Sequence, residues 1–424
     1  MNKFFAIISF LLLIGGNSFS SLLASKNLLM PRSKALIKNS YRNTQTFSRQ
    51  SSARRTQIIL FSFSSSSNEA VSEKHVQKLM QLRLSAAIPQ ALKVFVQLDL
   101  ADILSSTNAK MTVEEIGKRV HSTAKQPPVN QEALERTLRV LATVGVVEES
   151  SENKSLVYTL TQMGELLGSN SPLKSMIHYF VDDPLWAAWG SVPEFVAGIE
   201  KRLPFDAANG ISTQDYYSNP ENVQSLKYAN DFVRYISQCE IEACVRGVDW
   251  GSLNGRTVVD LGGFSGKVLE QVSIQYPRIK CICLDLPEVV ASLEKGPESK
   301  VELVGGDMFD PETFPVCDAI FMKHIVLCEF DAEQSLEILR SCYKVLPQNG
   351  RVIIAESVLP DLAEAEDNQS ALGLYIDYFM MLDGRSTSYT TSQWNAFVEK
   401  AGFSLDTITA TGIHSCFLLV LTRR

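Results

Sequence analysis

From residue 256 onward the sequence alternates strand-like and helix-like runs, and that alternation constrains the fold more than any other feature. TVVDLGG precedes KVLEQVSIQY, IKCICLDL precedes PEVVASL, and VELVGGDMF, CDAIFMKHIVL, SLEILRSCYKVL and RVIIAESVLP continue the series. Near-continuous apolar strands separated by amphipathic segments predict a parallel sheet with helices on both faces. Sheets of that kind bind ligands at the carboxyl ends of their strands.

The first seventy residues are different material. MNKFFAIISFLLLIGG has a lysine and then an apolar core of signal-peptide length, too short to cross a bilayer. Residues 26–68 are rich in Ser, Arg and Lys and hold no acid, since the first acidic residue is Glu69. The order matches a bipartite presequence, a secretory signal followed by a transit peptide, which predicts a plastid destination; a single mitochondrial presequence is the alternative. Residues 1–70 are accordingly set apart from the fold, and no stable membrane span is expected.

Residues 71–170 read as helices closed by a hairpin. LMQLRLSAAIPQALKVFVQLDLADIL keeps apolar residues at three-to-four spacing, the mark of a helix buried on one face. Thr112 and Glu115 form a capping box ahead of the next helix. QEALERTLRVLATVGVVEES and SLVYTLTQMGELL then predict a helix, a tight turn at Gly145 and two strands, a winged-helix shape. Its recognition-helix position carries Glu132, Glu135, Arg136 and Arg139, mixed in charge, and the whole chain carries -7. A nucleic-acid partner needs clustered Lys and Arg, so none is expected and dimerisation is the predicted role.

Residues 171–255 are helical and aromatic, with Tyr179, Phe180, Trp186, Trp189, Phe205, Tyr216, Tyr217, Tyr228, Phe232 and Tyr235. These side chains are either core or the roof of a pocket. All eight cysteines lie at or beyond Cys239 and none has CxxC spacing. Cys281 and Cys283 point to one face of a strand and are expected to pack there. Neither a disulfide framework nor a metal site is expected.

VVDLGGFSGKVLEQ is a strand, a glycine turn and a helix start, in which Gly262, Gly263 and Gly266 let the backbone approach a ligand. The GxGxxG fingerprint and the P-loop lysine are both absent. Asp285 ends the second strand, where a carboxylate can accept both ribose hydroxyls, while Asp307 and Met308 end the third, suited to an adenine. That spacing describes S-adenosylmethionine (SAM) better than a dinucleotide.

VVDLGGFSG, DLPEVV, GGDMF, AIFMK, LRSCYKVLPQNGRVIIAES and a late AGF together resemble the plant caffeate and hydroxyindole type of SAM-dependent O-methyltransferase, over about residues 75–424. The resemblance implies an α/β Rossmann-like SAM-binding domain over 256–424 behind an N-terminal helical winged-helix dimerisation domain. It also implies an obligate homodimer acting on a small molecule, with Gly262, Asp285, Asp307, Met308 and Lys323 as cofactor contacts. Phe264 stands where the family has a further glycine.

The catalytic pattern departs from the family. Counting from Lys323, the family's base histidine falls on Leu327 and its aspartate on Cys328; of two supporting glutamates, one matches Glu356 and the other falls on Ser388. A positioned base is worth about two to four orders of magnitude in rate. Three readings follow. His324 serves as a displaced base, or the protein is a SAM-binding dimer without chemistry, or the acceptor needs no base. A thioether sulfur meets the last condition, and one branch of the family, the methylthiohydroxybutyrate S-methyltransferases of dimethylsulfoniopropionate synthesis, does such chemistry. That branch implies 4-methylthio-2-hydroxybutyrate as substrate, with Phe232 and Tyr235 lining the pocket. Arg234, His178, His324 and Arg385 are the candidates to hold its carboxylate.

Overall fold

The computed structural model describes residues 73–106, 110–124, 128–293, 299–363, 368–384, 388–413 and 416–424. The presequence of residues 1–70 and the candidate Arg385 lie outside the described residues. Helix Glu73–Leu82 belongs to a unit of its own, Leu13–Ala86, and the remaining elements described below form a second unit.

The long apolar run is not one helix. Beyond Glu73–Leu82 it gives Ala87–Gln97 and Leu100–Ser105, with Asp99 between the last two at φ 53. Asp is one of the few residues that tolerate the left-handed region, and the carboxylate of Asp99 is gripped by Lys174. The capping box closes as its residues require: Glu115 accepts from the Thr112 backbone N–H at 2.7 Å, and the Glu115 N–H donates to Thr112 Oγ1 at 3.3 Å. Helix Gln131–Thr143 starts on Asn130, whose side chain accepts from the Ala133 N–H. Strands β2 (Val147–Glu152) and β3 (Ser155–Leu160) pair antiparallel, with the two-residue strand β1 (Met111–Thr112) on the other edge of β3. Asn153 and Lys154 both have positive φ, the geometry a two-residue hairpin turn needs to match strand twist. Phe95, Leu100, Ile116, Leu138, Leu141 and Tyr158 fill the core. On helix Gln131–Thr143, Arg136 pairs with Glu132 and Arg139 with Glu149, so the helix presents no free basic stripe.

The large sheet runs β10 (Phe403–Ala410), β11 (Cys416–Arg423), β8 (Arg351–Leu359), β7 (Ala319–Lys323), β4 (Thr257–Leu261), β5 (Lys280–Asp285), β6 (Glu302–Gly305), with β9 (Tyr389–Thr390) pairing β8 to one side. The five strands from β8 to β6 are parallel, as expected from the alternation. The sheet as a whole is mixed, a departure from the parallel expectation: β11 lies antiparallel to β8, and β10 to β11. The cause is local, because these two strands are joined by a hairpin with no crossover helix to return the chain.

Side chains alternate between two cores. Val259, Leu261, Ile320, Met322 and Ile354 pack under Ile338, Leu339, Trp394 and Phe397. Val258, Cys281, Cys283, Ala319 and Phe321 pack under Trp250, Val268, Leu269 and Val272. Cys281 and Cys283 thus share one face, and all eight cysteines are free. The chain leaves β4 toward β5 on one side and returns to β7 on the other, so a crevice opens at the carboxyl end of β4, where such sheets place their ligands.

Candidate active site

At that crevice β4 runs into the glycine turn and then helix Lys267–Gln275. Gly262 sits at φ 71, and a Cβ there would meet Ile325 Cδ1 at 2.8 Å and Met308 Cε at 3.1 Å. A Cβ on Gly263 would lie 2.4 Å from Asp260 Oδ2. The turn therefore stays bare so that backbone and neighbours can close in. Phe264, where the family has glycine, takes φ 54 as well; its N–H donates to Asp285 Oδ2 at 2.8 Å and the Leu286 N–H donates to Asp285 Oδ1 at 2.8 Å. Those bonds fix the Asp285 carboxylate at the strand end while leaving each oxygen a further lone pair for a hydroxyl. Burial raises its pKa, and the two backbone N–H groups oppose that. Asp307 accepts from the Phe309 N–H at 2.9 Å, and Met308 lies over Gly262. Gly266 caps helix Lys267–Gln275 at φ 68.

This donor set fits SAM: Asp285 would take the ribose, Asp307 and Met308 the adenine, and the turn from Gly262 to Gly266 the amino-acid end. Beneath the turn lies Asp260, which sequence reasoning did not single out. It is buried, and burial pushes its carboxyl up to about 7.

Lys323 ends β7 and the chain then turns sharply. His324 (φ 53) and Leu327 (φ 67) are both left-handed, unusual for residues with bulky side chains. The turn is pinned by the His324 N–H to the Ala355 carbonyl at 3.0 Å and by the Leu327 N–H to Ser335 Oγ at 2.9 Å. Leu327, at the family's base position, is buried in the core under the sheet. Ser388, at the second glutamate position, donates its backbone N–H to Asp377.

His324 has both ring nitrogens occupied. Nδ1 lies 3.1 Å from Glu356 Oε1 and Nε2 lies 2.9 Å from Glu240 Oε1. The other Glu240 oxygen binds Lys323 Nζ at 3.1 Å. Glu240 comes from the middle of helix Val223–Gly247 and is buried, as is Glu356. Burial by itself drives a proton off an imidazole, but the two carboxylates outweigh it and hold the His324 pKa well above its ordinary value. Glu240 is buried too, yet His324 and Lys323 hold its carboxyl well below the usual range. Cys328 and Cys416 close round the same imidazole, each within 4.8 Å of it together with a carboxylate. With the ring nitrogens and the ammonium already on carboxylates, the cluster is an ion-pair network. Both ring nitrogens of His324, the candidate displaced base, thus face carboxylates. Glu240, the centre of this network, was not legible as a site residue in the sequence; its one signal was an acid on the apolar stripe that also carries Ala243 and Cys244.

On the acceptor side Phe232 stacks on Tyr179 at 5.5 Å and meets Phe180 edge-on at 5.2 Å, with Phe379 against both Tyr179 and Phe180. Tyr235 stands one turn from Cys239 on the same helix. Two of the residues expected to hold a carboxylate sit in contrasting surroundings. His178 stacks on Tyr228 at 4.3 Å, and burial pushes its pKa down to about 4, so it is neutral near pH 7. Arg234 points outward, 65% exposed, toward Asp231. Gly263→Ala is expected to weaken SAM binding at least about tenfold by driving a methyl against Asp260, with the fold intact; calorimetric titration with SAM and a thermal melt would check this, and unchanged affinity would contradict it.

Residues 80–170 match the O-methyltransferase dimerisation domain and residues 189–404 the O-methyltransferase domain. Among curated relatives, the (RS)-norcoclaurine 6-O-methyltransferase of Coptis japonica is 32% identical over 326 residues, 75% of this chain and 88% of that protein. Nicotinate N-methyltransferase 1 of Glycine max is 34% identical over 336 residues, 77% and 90% of the two. In fold, the chain is similar to CalO1, a methyltransferase of calicheamicin biosynthesis in its SAH-bound form, at TM-score 0.67 and 24% identity, over 83% of this chain and 98% of that one. The glycine turn, the strand-end acids and these matches agree, and the chain belongs to the O-methyltransferase family of SAM-dependent methyltransferases, with that family's dimerisation domain preceding its catalytic domain.

Proposed function

We propose that this methyltransferase acts on an atom that presents a free lone pair and no proton, and that its acceptor is the thioether sulfur of 4-methylthio-2-hydroxybutyrate, methylated to a sulfonium on the route to dimethylsulfoniopropionate. The observation that carries this reading is the state of the base position: Leu327 is apolar and buried, and the nearby His324 is clamped at both nitrogens. When bound, SAM supplies an electrophilic methyl group on a positively charged sulfur. A thioether gains that methyl without losing a proton, so no side chain has to receive one. What the chain must provide is alignment and exclusion of water, and well-oriented encounters of this kind offset about 7–11 kcal/mol of barrier. Phe180, Trp189 and Phe232 flank the acceptor side with aromatic faces, which suit a cationic product.

A second base-free reading is favoured by one relative. Nicotinate N-methyltransferase 1 carries in its name an acceptor whose ring nitrogen also has a free lone pair. The purified protein, given labelled SAM with 4-methylthio-2-hydroxybutyrate, nicotinate or caffeate in parallel, is expected to label the thioether. The thioether rate should change less than about tenfold in His324→Gln, since no base step depends on the ring. Label in nicotinate alone would move the acceptor to nitrogen. Label in caffeate, lost in His324→Gln, would restore a base and end the proposal.

The working unit under this proposal is a homodimer. Beyond the dimerisation domain itself, Leu372, Tyr375 and Tyr378 stand exposed at three-residue spacing along helix Asn368–Met380, an apolar stripe suited to a second copy. Light scattering should return the mass of two chains, and a stable monomer would contradict it. Residues 1–70 are proposed to direct the protein to the plastid, supported by the acid-free, Ser- and Arg-rich run over 26–68 behind an apolar core. A fluorescent fusion to these residues would show plastid signal if so, and mitochondrial or diffuse signal if not.

A further inference from the structure

We propose that Glu240 is a positioning residue that sets the chemistry of the site: by binding Lys323 and the Nε2 of His324 together, it keeps that imidazole cationic and removes it as a base. The inference rests on the reading that transfer here needs no base, and it identifies the group that enforces it. A carboxylate in the middle of a packed helix is expensive to bury and persists only with close partners. Its neighbours Ile241, Ala243 and Cys244 show that apolar side chains satisfy packing at this place in the helix. The position instead carries an acid whose two oxygens are divided between two cations, at 2.9 and 3.1 Å.

The groups facing the ring come from every element packed against it. Helix Val223–Gly247 supplies Glu240, β7 supplies Lys323, the following turn supplies Cys328 and Glu329, β8 supplies Glu356 and β11 supplies Cys416. Glu329, which burial pushes up to about 7, carries only part of a charge at neutral pH. Removal of the Glu240 charge leaves Glu356 as the one hydrogen-bonded carboxylate on the ring, with the Lys323 ammonium beside it. Lys323 already opposes protonation of the ring, so the balance shifts toward neutral imidazole.

The test is the protonation state of His324, read by NMR on protein labelled at its five histidines, with the signal assigned by its loss in His324→Gln. In the unaltered protein this ring is expected to stay protonated well above the ordinary histidine midpoint, held by Glu240 and Glu356. In the isosteric Glu240→Gln its midpoint is expected to fall toward the ordinary histidine value of about 6.5. Glu356→Gln serves as a second variant if Glu240→Gln does not fold, and it is expected to lower the midpoint too. A ring that titrates at the ordinary histidine value in the unaltered protein, or one that stays protonated to the same pH in both variants, overturns the proposal. The histidine signal decides this whatever the acceptor is, so its failure is distinguishable from failure of the base-free reading, which the labelling assay decides.

Discussion

The site depends on one buried carboxylate. Glu240 reaches from the long helix that leads into the catalytic domain and joins the ammonium of Lys323 to the imidazole of His324 at the end of β7. Breaking such a buried pair by removing one partner costs about 3–5 kcal/mol, because the other charge is left alone in a dry place. That energy helps hold His324 and Leu327 in left-handed backbone, a conformation costing about 1–2 kcal/mol per residue. The same link ties the aromatic part of helix Val223–Gly247, where Phe232 stacks on Tyr179, to the end of the strand that carries Lys323. Methyl transfer between two bound molecules needs the two sides held in register, and a buried ion pair does this with less play than an exposed one.

Charge and reactivity are separated across this small space. Lys323 and His324 are positive, Glu240 is negative, and burial raises Asp260, Asp285 and Glu329 toward their neutral forms. The base position itself is Leu327, packed in the core. A site built in this way can orient an acceptor and shield it from water, but it has no free imidazole to take a proton. Family membership fixes the methyl donor and the fold. The proposed acceptor rests on the residues at the end of β7, since that is where this chain differs from the pattern it otherwise follows.

Much of this was readable without coordinates, for definable reasons. Strand-helix alternation is a pattern of neighbours in sequence, so the parallel strands β4 to β8 and the alternation of Cys281 and Cys283 against Ile282 and Leu284 followed from it. The winged-helix hairpin announced itself through Gly145 and the alternating residues around it, and the capping box through the spacing of Thr112 and Glu115. The break at Asp99 was less legible, because the apolar period continues across it and the interruption depends on a lysine some seventy-five residues away. The antiparallel closing pair was hidden for a similar reason: strand direction is set by what connects the strands.

The sequence by itself determined the family, the cofactor-binding turn and the absence of a base at residue 327, because these rest on residue type and spacing along one strand or turn. Tertiary structure alone decided what His324 does. The ring lies between Glu240, eighty-four positions before it, and Glu356, thirty-two after, and no local pattern shows that two distant acids meet one imidazole. The same holds for the surroundings of two expected carboxylate anchors: burial lowers the His178 pKa and Arg234 stands exposed beside Asp231, features set by packing that a list of basic residues does not contain.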